Sequence, residues 1–388
     1  MLGCPWRDKP DARGHSIRPH SKAVGGYVAV IQAGLSENRA DHSTGVVENP
    51  GCVFFNEERI LDNRVYTRIV GTGSCVPPKV LTNHDLEKIV DTSDQWIVER
   101  TGISERRVTD ESTAASDLAI EASKKALEMA GIAAEEVDLI LVATVTPDMF
   151  FPSTGCIVHK ALTSKPIPAF DLSAACSGYI YGLSVADAYI RSGMAKTILL
   201  IGADTLCKML DWTDRNSCVL FGDGAGATVL RADSTPGVLK VNISADGTYG
   251  DLLQILGGGS RNPCSQKVID EGLQYVRIKG REVYKTAVRV MSQSVEEILK
   301  QLNMTGDDLA LFIPHQANLR IIEAVAAKLN YPMEKTLVNI DRYGNTTAAT
   351  IPLAIDEVVR NGRLKSGDTM GMVAFGGGFT WGAAVIKY

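Results

Sequence analysis

The 388-residue sequence is poor in aromatic residues (6%) and in charged ones (22%). It lacks any apolar run near the roughly 18 residues needed to cross a bilayer. Its most hydrophobic stretches, residues 139–144 and 197–201, have the length of buried strands. With a formal net charge of -5, the chain has no global pull toward nucleic acid or an anionic membrane. Its 8 cysteines (Cys4, Cys52, Cys75, Cys156, Cys176, Cys207, Cys218 and Cys264) include no C-x-x-C pair, and none falls into zinc-finger spacing with a histidine. Scattered thiols in a chain this long imply a reducing compartment, with most of them serving as small buried apolar residues. Histidine is scarce too. Only 6 are present, and His15, His20 and His42 lie near the amino terminus, leaving His84, His159 and His315 for any chemistry in the core.

What is present divides the chain. Residues 1–64 mix Pro, Gly, His, Asn and both charges without sustained periodicity. They have no signal-peptide apolar core, and Asp8, Asp11, Glu37, Asp41 and Glu48 argue against a transit peptide. They read as a disordered extension or as upstream sequence outside the native frame. From Val65 onward strands and helices alternate. Residues 66–71 form a first strand, Ser116 or Asp117 caps a helix reaching about Ala130 with Gly131 as its stop, and residues 137–143 form a near-continuous apolar strand. Apolar strands alternating with amphipathic helices imply a sheet covered on both faces. Two echoes then recur in the same order. Residues 135–142 resemble 307–313, and Phe221-Gly222-Asp223-Gly224 resembles Phe375-Gly376-Gly377-Gly378. Their shared order favours duplication over chance and predicts two related α/β halves, 65–236 and 237–388.

Four segments carry residues suited to chemistry. Cys176 follows a strand candidate ending near Phe170 and precedes a helix to about Arg191, stopped by Gly193. Free N–H groups and the positive end of the helix dipole lower a thiol's pKa at such a turn. On position alone, Cys176 reads equally as a reactive thiolate or as an inert buried thiol. His315, in Pro314-His315-Gln316-Ala317-Asn318, lies at the carboxyl end of a strand, where open α/β sheets bind ligands; a capping or core histidine is the other reading. Asn345, in Tyr343-Gly344-Asn345-Thr346-Thr347, has the simpler reading of a turn or cap residue. The glycines at 376–378 allow close backbone approach and an N–H for an oxyanion, or simply a tight turn.

Taken in order, these motifs resemble the β-ketoacyl-[acyl-carrier-protein] synthase III family, over about residues 65 to 388. The resemblance rests on residues 91–97 (DTSDQWI), 100–103 (RTGI), 174–178 (AACSG), Asp214-Arg215, 221–227 (FGDGAGA), 314–318 (PHQAN), 344–346 (GNT) and 375–382 (FGGGFTWG). It implies the thiolase-like fold, two duplicated βαβαβαββ halves in a five-layer αβαβα arrangement, and a homodimer. It implies Cys176, His315 and Asn345 as catalytic residues and the N–H groups of Cys176 and Gly377 as an oxyanion hole. Thr92, Trp96, Arg100, Arg215, Gly280 and Asn318 match its CoA contacts, with Trp96 and Arg215 sandwiching adenine. Phe151 matches a residue that bounds the primer pocket from the partner subunit. The implied reaction joins a primer acyl-CoA, acetyl-CoA foremost, to malonyl-acyl carrier protein by decarboxylative Claisen condensation. It needs no metal or other cofactor and belongs in a bacterial cytoplasm.

One feature is readable without the resemblance. Arg281, Lys285 and Arg289 fall at i, i+4 and i+8 of a predicted helix, giving a basic face on an acidic protein. A strongly acidic carrier protein would dock there, on Lys285 and Arg320. Competing readings are a specialised family member making a polyketide starter, a thiol hydrolase, and a non-catalytic CoA- or carrier-binding module.

Overall fold

Side chains along a strand point alternately to opposite faces, so a strand that is apolar at every position must be covered twice. The computed structural model describes residues 65–388, and the expectations for residues 1–64, Cys4 and Cys52 among them, lie outside the described residues. The chain builds β1 (Tyr66–Cys75), α1 (Asp94–Thr101), α2 (Ala115–Ala130), β2 (Leu139–Ala143), α3 (Thr154–Leu162), β3 (Ala169–Leu172), α4 (Gly178–Arg191), β4 (Thr197–Asp204) and β5 (Gly224–Asp233). It continues with β6 (Val238–Ala245), α5 (Gly280–Gln301), β7 (Leu311–Pro314), α6 (Leu319–Lys328), α7 (Thr350–Arg360), β8 (Thr369–Gly376) and β9 (Thr380–Lys387).

The two main sheets follow one plan. The first has the order β1-β5-β4-β2-β3, with β2 parallel to β3 and β4, and β5 antiparallel to β4 and β1. The second has the order β7-β8-β9-β6, with β7 parallel to β8, and β9 antiparallel to β8 and β6. Strand for strand, β6, β9, β8 and β7 repeat β1, β5, β4 and β2. The place of β3 is held in the second sheet by a single parallel bridge, Phe312 to Thr336.

Alternation sorts the layers. Leu139 and Leu141 of β2, with Ile198 and Leu200 of β4, enter a core that also holds Tyr179, Ile180 and Leu183 of α4, Ile351 and Ile355 of α7, and Met370 and Met372 of β8. Helices α4 and α7 are therefore a middle layer between the sheets. Ile140, Val142, Leu199 and Ile201 face the other way, onto Leu118, Ala122 and Ala126 of α2. Beyond the second sheet, Phe312, Val373 and Val385 pack on Met291 and Val295 of α5 and Val325 of α6. The result is the five-layer αβαβα arrangement that the resemblance implied. Truncating a fully buried residue such as Leu200 to Ala costs about 2–5 kcal/mol in a core of this kind.

Local expectations were close but not identical. Helix α2 starts at Ala115 with Ala114 at its N-cap, two residues before Ser116. Ser116 binds Asp148, and the Asp117 carboxylate accepts from the Ala114 N–H, so neither side chain is the cap proper. Gly131 does end the helix, at φ 63, as a left-handed stop. Of the six described cysteines only Cys176, Cys207 and Cys218 are buried; Cys156 and Cys264 are exposed and Cys75 is intermediate. Among the described residues, no helix is long and apolar enough to cross a membrane.

Candidate active site

Cys176 lies in a 3₁₀ turn, Ala175–Ser177, between β3 and α4. The turn is held by hydroxyls: Ser177 Oγ and Thr380 Oγ1 each lie 2.8 Å from the Ala174 carbonyl oxygen and 2.7 Å from one another. Ala175 takes φ 47, a left-handed conformation that alanine adopts at a cost of about 1–3 kcal/mol. The strain places the Cys176 N–H beside the end of β8. A Cβ added at Gly376 would stand 2.6 Å from the Cys176 nitrogen, so only glycine admits this approach.

His315 follows β7 and is 1% exposed. Its Nδ1 is 2.6 Å from Thr350 Oγ1, which orients the ring and leaves Nε2 free for the cavity. Asn345 precedes the 3₁₀ turn Thr347–Ala349 that leads into α7. Its backbone is pinned to residues 220 and 222, and its Oδ1 accepts from the Thr347 N–H at 2.9 Å. Asn345 therefore does hold a turn, and the same bond leaves its Nδ2 free to donate to the Cys176 sulfur.

These three side chains share one cavity of about 830 Å³. Cys176 and Asn345 are 6% exposed, so they and His315 form the floor. The rim carries Arg100, Arg215, Arg281, Lys285 and Arg320, and no Asp or Glu among the described residues lines the cavity. Trp96, Gly280 and Asn318 also line it. The Arg100 and Arg215 guanidinium carbons lie 4.8 and 5.2 Å from the Trp96 ring centroid. Asn318 caps α6 and donates to the Arg100 carbonyl, tying that helix to α1. Thr92 does not line the cavity, but its hydroxyl is buried without a hydrogen-bond partner among the described residues. Gly377 lies just past Gly376 and outside the lining. Phe151 is 86% exposed and outside the cavity altogether, next to exposed Phe150 and Met149.

Electrostatics corrects one expectation. Burial pushes the Cys176 thiol up to about 12, and the Asp204 carboxylate adds to the shift. Its own N–H and the Asn345 amide work against this and lose. Position at a helix end is outweighed by loss of water. Burial likewise pushes His315 down to about 3, so the floor is a neutral thiol beside a neutral imidazole. His84 and His159 sit elsewhere, against Glu87 and the Lys165 carbonyl. Thr350, which orients His315, does not stand out in the sequence. Its signal there is weak: a third threonine in the small-residue run after Asn345.

Two family models match, 3-oxoacyl-[acyl-carrier-protein] synthase III over residues 170–247 and its C-terminal region over residues 299–388. A β-ketoacyl-[acyl-carrier-protein] synthase III of Caldanaerobacter subterraneus is 51% identical over 326 residues, 84% of this chain and 98% of that protein. The crystal structure of 3-oxoacyl-[acyl-carrier-protein] synthase III from Aquifex aeolicus matches with TM-score 0.77 and 48% identity, over 83% of this chain and 100% of its own. The priming β-ketosynthase of the R1128 polyketide pathway matches with TM-score 0.78 and 31% identity, over 83% of this chain and 96% of its own.

Proposed function

Because the chain belongs to the β-ketoacyl-[acyl-carrier-protein] synthase III family, condensing acyltransferases that initiate type II fatty acid synthesis, we propose that it condenses acetyl-CoA or another short acyl-CoA with malonyl-acyl carrier protein. The cavity carries this reading. A buried thiol, imidazole and carboxamide lie beneath a rim of five cations without a carboxylate, which suits a long thioester bearing phosphates.

In the first half-reaction, Cys176 Sγ attacks the acyl-CoA carbonyl while His315 Nε2 takes the thiol proton. A raised thiol pKa makes that base necessary, and a neutral imidazole supplies it. The N–H groups of Cys176 and Gly377 bind the oxyanion; the C–S bond to CoA then breaks, and CoA leaves with the proton. In the second, malonyl-acyl carrier protein loses CO2 and its electron pair becomes an enolate, whose oxygen accepts from the Asn345 amide and from His315 in the tautomer protonated at Nε2, with Nδ1 accepting from the Thr350 hydroxyl. The carbanion attacks acyl-Cys176, a carbon–carbon bond forms, and the cysteine leaves as thiolate and is reprotonated from water. Thiol, imidazole and amide supply the nucleophile, base and donors, so no metal or redox cofactor takes part.

CoA enters past Trp96, Arg100, Arg215, Gly280, Asn318 and the unengaged hydroxyl of Thr92. A stacked adenine needs about 7 Å between the planes on either side of it, so Arg215 must withdraw from Trp96 to admit one. Lys285 and Arg320 face the acidic carrier protein. Exposed Phe151 completes the primer pocket of a partner subunit in a homodimer, an arrangement supported by three adjacent exposed apolar side chains. Residues 65–236 carry the nucleophile and 237–388 the histidine and asparagine; the shared sheet plan supports this division. Its bacterial relatives support a bacterial cytoplasmic enzyme. The likeness to a polyketide priming synthase favours a second reading with the same chemistry and a different primer.

Mass spectrometry after incubation with a panel of acyl-CoA primers tests this. An adduct on Cys176 that is consumed by malonyl-acyl carrier protein is expected, with acetyl best. No adduct, or one on another residue, would overturn it.

A further inference from the structure

Strand β4 is buried along its whole length and ends on a carboxylate, Asp204, with 0% exposure. Its hydrogen bonds come from two distant segments. Oδ1 accepts from the Val145 N–H at 2.8 Å, the Thr146 N–H at 3.1 Å, Thr144 Oγ1 at 3.0 Å and Thr146 Oγ1 at 2.9 Å, all just after β2. Oδ2 accepts from the Ala348 N–H at 3.2 Å and from the Thr347 hydroxyl, in the turn before α7. A buried carboxylate with this many donors joins the segments firmly.

Thr347 needs such a hold. At φ 50 it is a β-branched residue in the left-handed region, a strained conformation that persists only when its surroundings impose it. That conformation aims the Thr347 N–H at Asn345 Oδ1, 2.9 Å away. An N–H can only donate, so the oxygen end of the amide is fixed and the NH2 end is turned toward Cys176. The Thr347 carbonyl also accepts from Thr350 Oγ1 at 3.1 Å, the hydroxyl that meets His315.

We infer that Asp204 is a positioning residue for the condensation step: through Thr347 it holds the Asn345 amide with its NH2 group toward Cys176. This rests on the roles of Cys176 and Asn345 proposed above. Asp204 touches no reacting atom. In acyl transfer the oxyanion is held by the N–H groups of Cys176 and Gly377, and the Asn345 amide meets only the Cys176 sulfur, so loss of Asp204 bears mainly on the second half-reaction.

The test measures acetylation of Cys176 by acetyl-CoA and CO2 release from malonyl-acyl carrier protein separately, in wild type, Asp204→Asn, Thr347→Val and Thr347→Ser. Asp204→Asn and Thr347→Val should lose about 100-fold in CO2 release, the usual scale for one misplaced donor, and only a few-fold in acetylation. Thr347→Ser keeps the hydroxyl and should retain both rates. If Asp204→Asn does not fold, as judged by circular dichroism, the two Thr347 variants decide alone. Wild-type CO2 release by Thr347→Val, or equal loss of both rates, would overturn the inference. A wild-type protein that acquires no acetyl group on Cys176 would instead overturn the functional reading beneath it.

Discussion

The two helices of the middle layer begin in the same way, and the contrast between the turns that lead into them explains the division of labour. Each follows a 3₁₀ turn, Ala175–Ser177 before α4 and Thr347–Ala349 before α7. Each turn opens on a non-glycine residue near φ 50, Ala175 at 47 and Thr347 at 50. Each is met by the end of an equivalent strand from the opposite sheet. Before α7 that strand is β4, and it ends on Asp204, whose carboxylate accepts from the turn and locks it. Before α4 the strand is β8, and it ends on Gly376, which offers no side chain and leaves the Cys176 amide accessible. One copy of the motif became a clamp and the other an opening. A nucleophile needs space around its sulfur, while a donor needs a fixed direction.

The largest expected effect comes from closing the opening. Gly376→Ala would put a methyl group 2.6 Å from the Cys176 nitrogen, and the turn would have to move. Acetylation of Cys176 should fall about 1,000-fold, measured by the rate of adduct formation, with the fold retained. A near-normal rate would show that the space left by Gly376 does not set the reactivity of the first turn. Next, Asn345→Ala should reduce CO2 release about 100-fold and acetylation only a few-fold, because its amide meets the Cys176 sulfur but binds a developing oxyanion only in the second step.

A smaller effect concerns protons. The Cys176 pKa is raised by burial, and by Asp204, from 9.0 to about 12, so the thiol form is favoured in the folded state. Its stabilising contribution is complete below pH 9 and is lost as pH rises toward 12. Alkylation of the unacylated enzyme by iodoacetamide should therefore climb about tenfold per pH unit between pH 7 and 10. A plateau near 8 would indicate that the helix end dominates after all. His315 behaves oppositely. Its pKa is depressed from 6.5 to about 3, so it stabilises the fold above pH 6.5 and this is lost as pH falls toward 3. Least of all, Arg320→Glu on the exposed rim should raise KM for malonyl-acyl carrier protein several-fold while sparing acetyl transfer from CoA. Equal losses in both steps would assign Arg320 to CoA rather than to the carrier.

Much of this site is legible in the sequence because its residues stand where periodicity stops. Cys176 and His315 each follow a strand, Asn345 follows a single helical turn, Ile340–Tyr343, and the neighbours of all three are too small or too polar to continue a core. Trp96, Arg100 and Arg215 are readable as an aromatic–guanidinium set, and the structure stacks them. What is not legible depends on pairings across the chain. Asp204 looks like the end of a strand until Thr347, 143 residues away, is placed against it. The same holds for Thr350 and His315, 35 residues apart. The protonation of Cys176 escapes the sequence for a related reason: local sequence shows the helix dipole but not how completely water is excluded.

The shared middle layer also has a consequence for synthesis on the ribosome. Strand β1 is made first but pairs with β5, and Arg68 meets Thr235 only after another 167 residues are made. At ~5–20 residues per second that wait is roughly 10–30 s. Asp356 of α7, which binds Thr72 across 284 residues, comes later still. Throughout that interval the first strand leaves its backbone N–H and C=O groups unpaired, the kind of open edge that nascent-chain chaperones shield.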